Sequence, residues 1–149
     1  MKVNINEIPP HGLELEEIDS AKALDIERGD IEFIRDVRIK AGIKREYDSI
    51  RIHLDIESEI SFFCARCLED ESMPFSEHID IIKDAKEEQI IDLTQIAREE
   101  IIFAYPDRLL CKADCKGLCQ HCGRNRNLHT CRCEDNHGSL GIYIDRLDN

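Results

Sequence analysis

The chain has no tryptophan, and its aromatic residues amount to 5%. Base stacking on single-stranded nucleic acid uses such rings. Only Tyr105 and Tyr143 lie near the segment richest in cations, so recognition by stacking is disfavoured. Long apolar runs are also missing. The longest, Ile101–Tyr105, falls far short of the ~20 residues of a membrane-spanning helix, and no membrane partner is expected. The first residues, Met1-Lys2-Val3-Asn4-Ile5-Asn6-Glu7, show neither an apolar leader core nor a small-residue cleavage site. The expectation is a reducing, cytoplasmic setting. Glycine is sparse: its seven copies never form G-x-G-x-x-G or G-x-x-x-x-G-K-[ST], so no phosphate-cradling loop is present. The six histidines are scattered, no Ser/His/Asp arrangement stands out, and Glu99-Glu100 reads as a solvated helix face rather than a catalytic pair. An enzyme with a small-molecule substrate is therefore not expected.

What the chain does have is cysteine and negative charge. Net charge is −12 over 149 residues, which alone makes a poor ligand for nucleic acid. The charge is uneven. Residues 1–106 carry 13 Lys+Arg against 26 Asp+Glu, a net of −13, whereas residues 107–149 carry 7 against 6, a net of +1. Within 108–132, Arg108, Lys112, Lys116, Arg124, Arg126 and Arg132 face Asp114 alone, a net of +5. The chain reads as an acidic body, 1–106, followed by a basic, cysteine-rich module and tail, 107–149.

The eight cysteines form four short pairs: Cys64/Cys67, Cys111/Cys115, Cys119/Cys122 and Cys131/Cys133. A Cys-x-x-Cys turn aims two thiolates at one tetrahedral ion, and two such turns close a site. Eight sulfurs suffice for two structural zinc ions. In a reducing compartment clustered cysteines favour metal over disulfides. Loop closure favours a local site of Cys119, Cys122, Cys131 and Cys133. Cys64, Cys67, Cys111 and Cys115 then tie the body to the module. Pairing 64/67 with 119/122 is the alternative, and His121 or His129 could replace a sulfur. Gly123, after the second cysteine of its knuckle, is expected at positive φ. Cys115-x-x-x-Cys119-x-x-Cys122 also has the spacing of a radical-SAM cluster motif, but the chain lacks room for the α/β barrel such chemistry uses, and the iron–sulfur reading ranks below zinc. Cys64-Ala65-Arg66-Cys67 at a strand end lacks the βαβ setting of a redox dithiol.

The body predicts α+β architecture, mainly antiparallel β: a curved sheet or partial barrel with one packed amphipathic helix, and a C-terminal zinc-bound module closing onto the Cys64–Cys67 hairpin. Ile50, Ile52, Leu54, Ile56, Ile60 and Phe62 alternate with polar residues, interrupted only at Ser58. Val37, Ile39, Ala41 and Ile43 alternate before them, and Glu46–Ser49 suits a hairpin turn. Met73, Phe75, Ile79 and Ile81 suggest a return strand, and Val3 and Ile5 a short N-terminal one. A helix is predicted near 92–104: Asp92 and Gln95 form a capping box, Leu93, Ile96, Ala97, Ile101 and Ala104 share a face, and Pro106 ends it. A second short helix is expected over Ser20–Leu24, and a last strand or docked tail over Leu140–Ile144.

Several runs resemble the YceD-like family, bacterial and plastid proteins associated with accumulation of large-subunit (23S) ribosomal RNA. These are Phe63-Cys64-Ala65-Arg66-Cys67-Leu68, Ile91-Asp92-Leu93, Arg98 through Pro106, and Leu110 through Cys119, in order and at fitting spacing. The resemblance extends from the first strands to about Cys133. It implies a noncatalytic factor in large ribosomal subunit biogenesis, with ribosomal RNA or a large-subunit ribosomal protein as partner. Family members with fewer cysteines tend to keep the counterparts of Cys64, Cys67, Cys111 and Cys115, which implies that these four form one unit and that the metal is structural.

Two modes of action follow. In one, the basic tip (Arg108, Lys112, Lys116, Arg124, Arg126 and Arg132) touches RNA phosphates, giving steep salt dependence and little sequence information. In the other, the chain is a zinc-ribbon adaptor or chaperone whose acidic sheet holds a basic ribosomal protein. Against both stands ordinary solubility: cations near a four-thiolate zinc also offset its net negative charge.

Overall fold

A computed structural model describes residues 1–86, 89–130 and 133. Its centre is a long antiparallel hairpin. Strand β4 (Val37–Glu46) turns at Tyr47-Asp48 into β5 (Ser49–Phe63), with Glu46 opposite Ser49. The turn falls at Glu46–Ser49 as expected, and Tyr47 adopts φ 54° to make it. β5 then pairs along its full length with β6 (Asp70–Asp84). On the far side of β4 runs β2 (Leu13–Asp19). The two-residue β3 (Glu32–Phe33) continues the line of β4 along β5. The five strands form one open sheet. Among the described residues β2 and β6 do not pair with each other, so the sheet is not a closed barrel.

Alternation explains which face is buried. Ile50, Ile52, Leu54, Ile56, Ile60 and Phe62 all point inward and are almost fully buried, as are Val37, Ile39, Ala41 and Ile43 opposite them. Ser58, the one polar residue in that series, has a local task. Between the pairs Phe33↔Ile60 and Arg38↔Glu57 the β3–β4 side carries more residues than β5, a bulge at Arg35-Asp36. The Ser58 hydroxyl donates to the Arg35 carbonyl there (2.9 Å), satisfying a group the bulge removes from the ladder.

The helix α1 (Leu93–Phe103) closes the inner face, burying Leu93, Ile96, Ala97 and Ile101 in the same core. Asp92 caps it by accepting the Gln95 N–H at 3.1 Å. The reciprocal half of the capping box is not made, because the Gln95 amide donates to Glu99 (2.8 Å) instead. A separate two-stranded ribbon, β1 (Lys2–Asn4) with β7 (Ile90–Asp92), delivers the chain into the helix. The stretch 20–25 is a set of turns rather than the expected helix. Leu24 is buried, but Asp25 at φ 52° ends the run after one turn. Residues 140–144, expected as a strand or docked tail, lie outside the described residues. No helix among the described residues is long and apolar enough to cross a membrane.

Candidate metal centre and basic tip

The end of the β5–β6 hairpin is built by backbone hydrogen bonds around two cysteines. The Cys64 N–H donates to the Glu69 carbonyl (2.9 Å) and the Leu68 N–H to the Cys64 carbonyl (2.9 Å), with Leu68 at φ 59°. Both sulfurs thereby point away from the sheet toward the segment that follows α1. That segment is stitched on by two main-chain bonds, Ala65 N–H to the Leu109 carbonyl (2.8 Å) and Leu118 N–H to the Arg66 carbonyl (3.1 Å), and by the Arg66 guanidinium donating to the Cys115 carbonyl (2.9 Å). Gly117, at φ 68°, sits so close that a Cβ there would lie 3.0 Å from the Arg66 carbonyl oxygen.

The result brings Cys64, Cys67, Cys111 and Cys115 together, with all four sulfurs within 4.8 Å of one another. Cys64 and Cys115 Sγ are 3.7 Å apart, as are Cys67 and Cys111 Sγ. These are not disulfide distances, which are about 2.05 Å. Four thiolates at about 2.3 Å from a tetrahedral ion would sit about 3.8 Å from each other, so the cluster has the size of a closed four-sulfur site. Leu110 and Leu118 pack around it. The bare thiols respond unequally to this crowding. Burial raises the Cys64 pKa, but N–H donors from Cys111, Arg66 and Cys67 outweigh it and bring it down to about 6. Burial and the neighbouring sulfurs push Cys111 up to about 12. A cation at the centre removes that conflict by letting all four ionise.

Asn127 supports the cluster from outside: its amide donates to Cys115 Sγ (3.2 Å) while its carbonyl oxygen accepts the Lys116 N–H (2.9 Å). Buried Asn125 holds Asn127 by accepting its N–H (2.9 Å) and donates its own amide to Glu69 (3.1 Å). Sequence spacing had pointed to neither asparagine. The only signal was the Asn125-x-Asn127 pattern, whose short amides suit side-chain-to-backbone turns.

A second knuckle follows. The Cys119 N–H donates to the Arg124 carbonyl (2.8 Å) and the Gly123 N–H to the Cys119 carbonyl (2.8 Å), with Gly123 at φ 70° as its position after the knuckle predicted. Cys119, Cys122 and Cys133 place their sulfurs within 4.8 Å of one another. Cys131, the fourth member expected there, lies outside the described residues. The alternative pairing of 64/67 with 119/122 is not what the fold brings together, and the spacing motif Cys115/Cys119/Cys122 is split between the two clusters. His121 and His129 belong to neither cluster.

Of the basic residues, Arg108, Lys112, Lys116, Arg124 and Arg126 are all exposed. None of them forms an ion pair among the described residues; Arg132 lies outside these. Lys116 and Arg126 also border a shallow pocket of about 290 Å³ with Asn127, His129 and Thr130. Tyr105 is turned inward, packed against Phe33 and Phe75 at 6.3 and 6.4 Å, with its hydroxyl donating to the Ile26 carbonyl. It presents no stacking ring at the tip.

Comparison with known proteins gives a family likeness and a relative. The family model described as "Large ribosomal RNA subunit accumulation protein YceD" matches residues 79–140. Over that stretch the chain is similar to this family. The matched stretch contains α1 and the cysteines from Cys111 to Cys133, but not Cys64 and Cys67. One relative, "Uncharacterized protein YlbN" of Bacillus subtilis (strain 168), is 26% identical over 123 residues, covering 74% of this chain and 72% of its own length. No solved structure matches the chain. The family's description implies a role in accumulation of the large ribosomal subunit RNA, and the two cysteine clusters permit metal binding.

Proposed function

We propose that the protein is a noncatalytic factor in large ribosomal subunit biogenesis, held in shape by two structural zinc ions and contacting ribosomal RNA through its basic tip. The family match carries the ribosomal part of this reading. The observation that favours RNA at the tip is the set of exposed cations, Arg108, Lys112, Lys116, Arg124 and Arg126, that no carboxylate among the described residues neutralises. The close spacing of the four sulfurs suits one tetrahedral ion rather than an iron–sulfur cluster, and zinc is the ion usual in closed structural sites of this kind. Cys64, Cys67, Cys111 and Cys115 would hold one ion; Cys119, Cys122, Cys133 and, by spacing, Cys131 the other.

Phosphate contacts of this kind position an RNA without reading its sequence. Arg124→Glu with Arg126→Glu should therefore weaken binding to fragments of large-subunit RNA uniformly across sequences. It should also flatten the dependence of affinity on salt. Unchanged affinity and slope would remove the tip from RNA binding.

A further inference from the structure

The outer edge of β6 is long, acidic and open. We infer that Ser76–Asp84 accepts an extended basic peptide of a protein partner as an added antiparallel or parallel strand. Three features support this. The first is the direction of the backbone. Glu46 and Ser49 close a two-residue hairpin, so the odd residues of β5 bond toward β4 and the even ones toward β6. The partners of those even residues are Glu77, Ile79, Ile81 and Lys83. Ser76, His78, Asp80 and Ile82 then turn their N–H and C=O groups away from the sheet. Pro74, which shares their parity, fits this assignment, because a proline facing β5 would cost a ladder bond. Among the described residues no strand pairs with that edge.

The second feature is apolar surface. Ile79 and Ile81 border the core but stay half-buried, and Ile82 on the opposite face is 66% exposed. One more strand would cover all three. The third is charge. β6 carries Asp70, Glu71, Glu77, Asp80 and Asp84 against Lys83, a net of −4. Edge strands are commonly blunted by proline or charge. Pro74 blunts only one end, and within Ser76–Asp84 the acids Glu77, Asp80 and Asp84 outnumber Lys83, a net of −2. That sign disfavours a second copy of the same strand and favours a peptide alternating cationic with apolar residues, which strand addition recognises through main chain and alternate side chains. This surface lies on the body, and the inference does not depend on RNA binding by the tip.

The test uses the full chain, metal-loaded, and a labelled peptide of about a dozen residues alternating lysine and valine. Binding is read by fluorescence anisotropy and by backbone amide exchange. The expected result is saturable binding with slowed exchange at Ser76, His78, Asp80 and Ile82. Ile82→Pro removes an outward donor without touching the β5 ladder, and should weaken binding about fivefold to tenfold at unchanged melting temperature. Ile82→Ala serves as a second variant should the proline disturb the strand; it should weaken binding less and leave the exchange pattern in place. A serine–valine peptide should bind more weakly than the lysine one. Arg124→Glu with Arg126→Glu should leave peptide binding intact, which separates this surface from the tip. Absence of binding, protection elsewhere on the chain, or insensitivity to both Ile82 variants would overturn the inference. A peptide-free dimer abolished by Ile82→Pro would also overturn it, by making a second copy the occupant.

Discussion

The body and the tip of this molecule are stabilised by different physics. The body buries a continuous set of aliphatic side chains between one sheet and one helix. Its cations are largely matched, although its carboxylates outnumber them two to one. Of its 13 Lys and Arg residues at least eight pair with a carboxylate, among them Arg35 with Glu59 (2.9 Å), Arg98 with Asp25 (2.7 Å) and Lys86 with Asp48 (2.8 Å). The tip buries little beyond sulfur, Leu109, Leu110 and Leu118, and relies on knuckle hydrogen bonds, asparagine amides and cysteine clusters. Its exposed cations meet no carboxylate among the described residues. Surface pairs contribute little to stability, ~0–1 kcal/mol each. The contrast in pairing therefore bears on what each region binds more than on how firmly it folds.

The two regions should fail separately. Stripping metal with a strong chelator under reducing conditions should have the largest effect. Structural zinc contributes on the order of 10 kcal/mol to the unit it organises. Amides of 109–130 should lose exchange protection while those of β4 and β5 keep theirs. Simultaneous collapse of the body would show that the two are one cooperative unit. Leu54→Ala, in the fully buried centre of β5, should cost about 2–5 kcal/mol of body stability, read by denaturant unfolding, with metal content unchanged. Asn127→Ala removes the N–H donated to Cys115 Sγ. It should lower metal affinity about 10–100-fold in competition with a chromogenic chelator, and leave the body's unfolding midpoint in place.

The smallest effect concerns pH. On the outer face of the sheet His53 bonds Asp80 (3.1 Å) and Asp55 (3.2 Å), and His78 bonds Asp55 (2.5 Å). The Asp80 hydrogen bond, against some desolvation and aided by the Asp55 charge, raises the His53 pKa above 6.5. The His78 hydrogen bond, again against desolvation, lowers the Asp55 pKa below 3.8. A raised histidine pKa contributes stability that is fully present below pH 6.5 and lost as pH rises through the folded value. A lowered aspartate pKa contributes stability present above pH 3.8 and lost as pH falls through the folded value. The melting temperature should drift slightly downward as pH rises from about 6 to 8. His53→Gln should remove that drift, and a drift that persists unchanged would assign it to other groups.

Much of this was legible in the sequence because strict alternation leaves β4 and β5 one possible face toward the core, and Asp92 with the apolar spacing after it fixes α1. Three features were not. Strand β2 was missed: its inward series runs Leu13, Leu15, Glu17, and the charge breaks the pattern. In the fold Glu17 is met by the Met1 ammonium (3.2 Å) and the Thr94 hydroxyl (2.5 Å), partners far away in sequence. The turns at 20–25 carry helical local spacing but no second turn to propagate it. The cysteine partition followed from chain proximity for Cys119, Cys122 and Cys133. For Cys64 and Cys67 the grouping with Cys111 and Cys115 rested on elimination and on the family resemblance, and the fold brings the four together. The third feature is the pair of asparagines behind Cys115, whose place only tertiary contact decides.

The most direct measurement is metal content and stoichiometry, by elemental analysis of protein purified without oxidation. The account predicts two zinc ions per chain, one for each cysteine cluster, falling to one in Cys64→Ser. Iron with sulfide, or metal-free chains with oxidised cysteines, would contradict it.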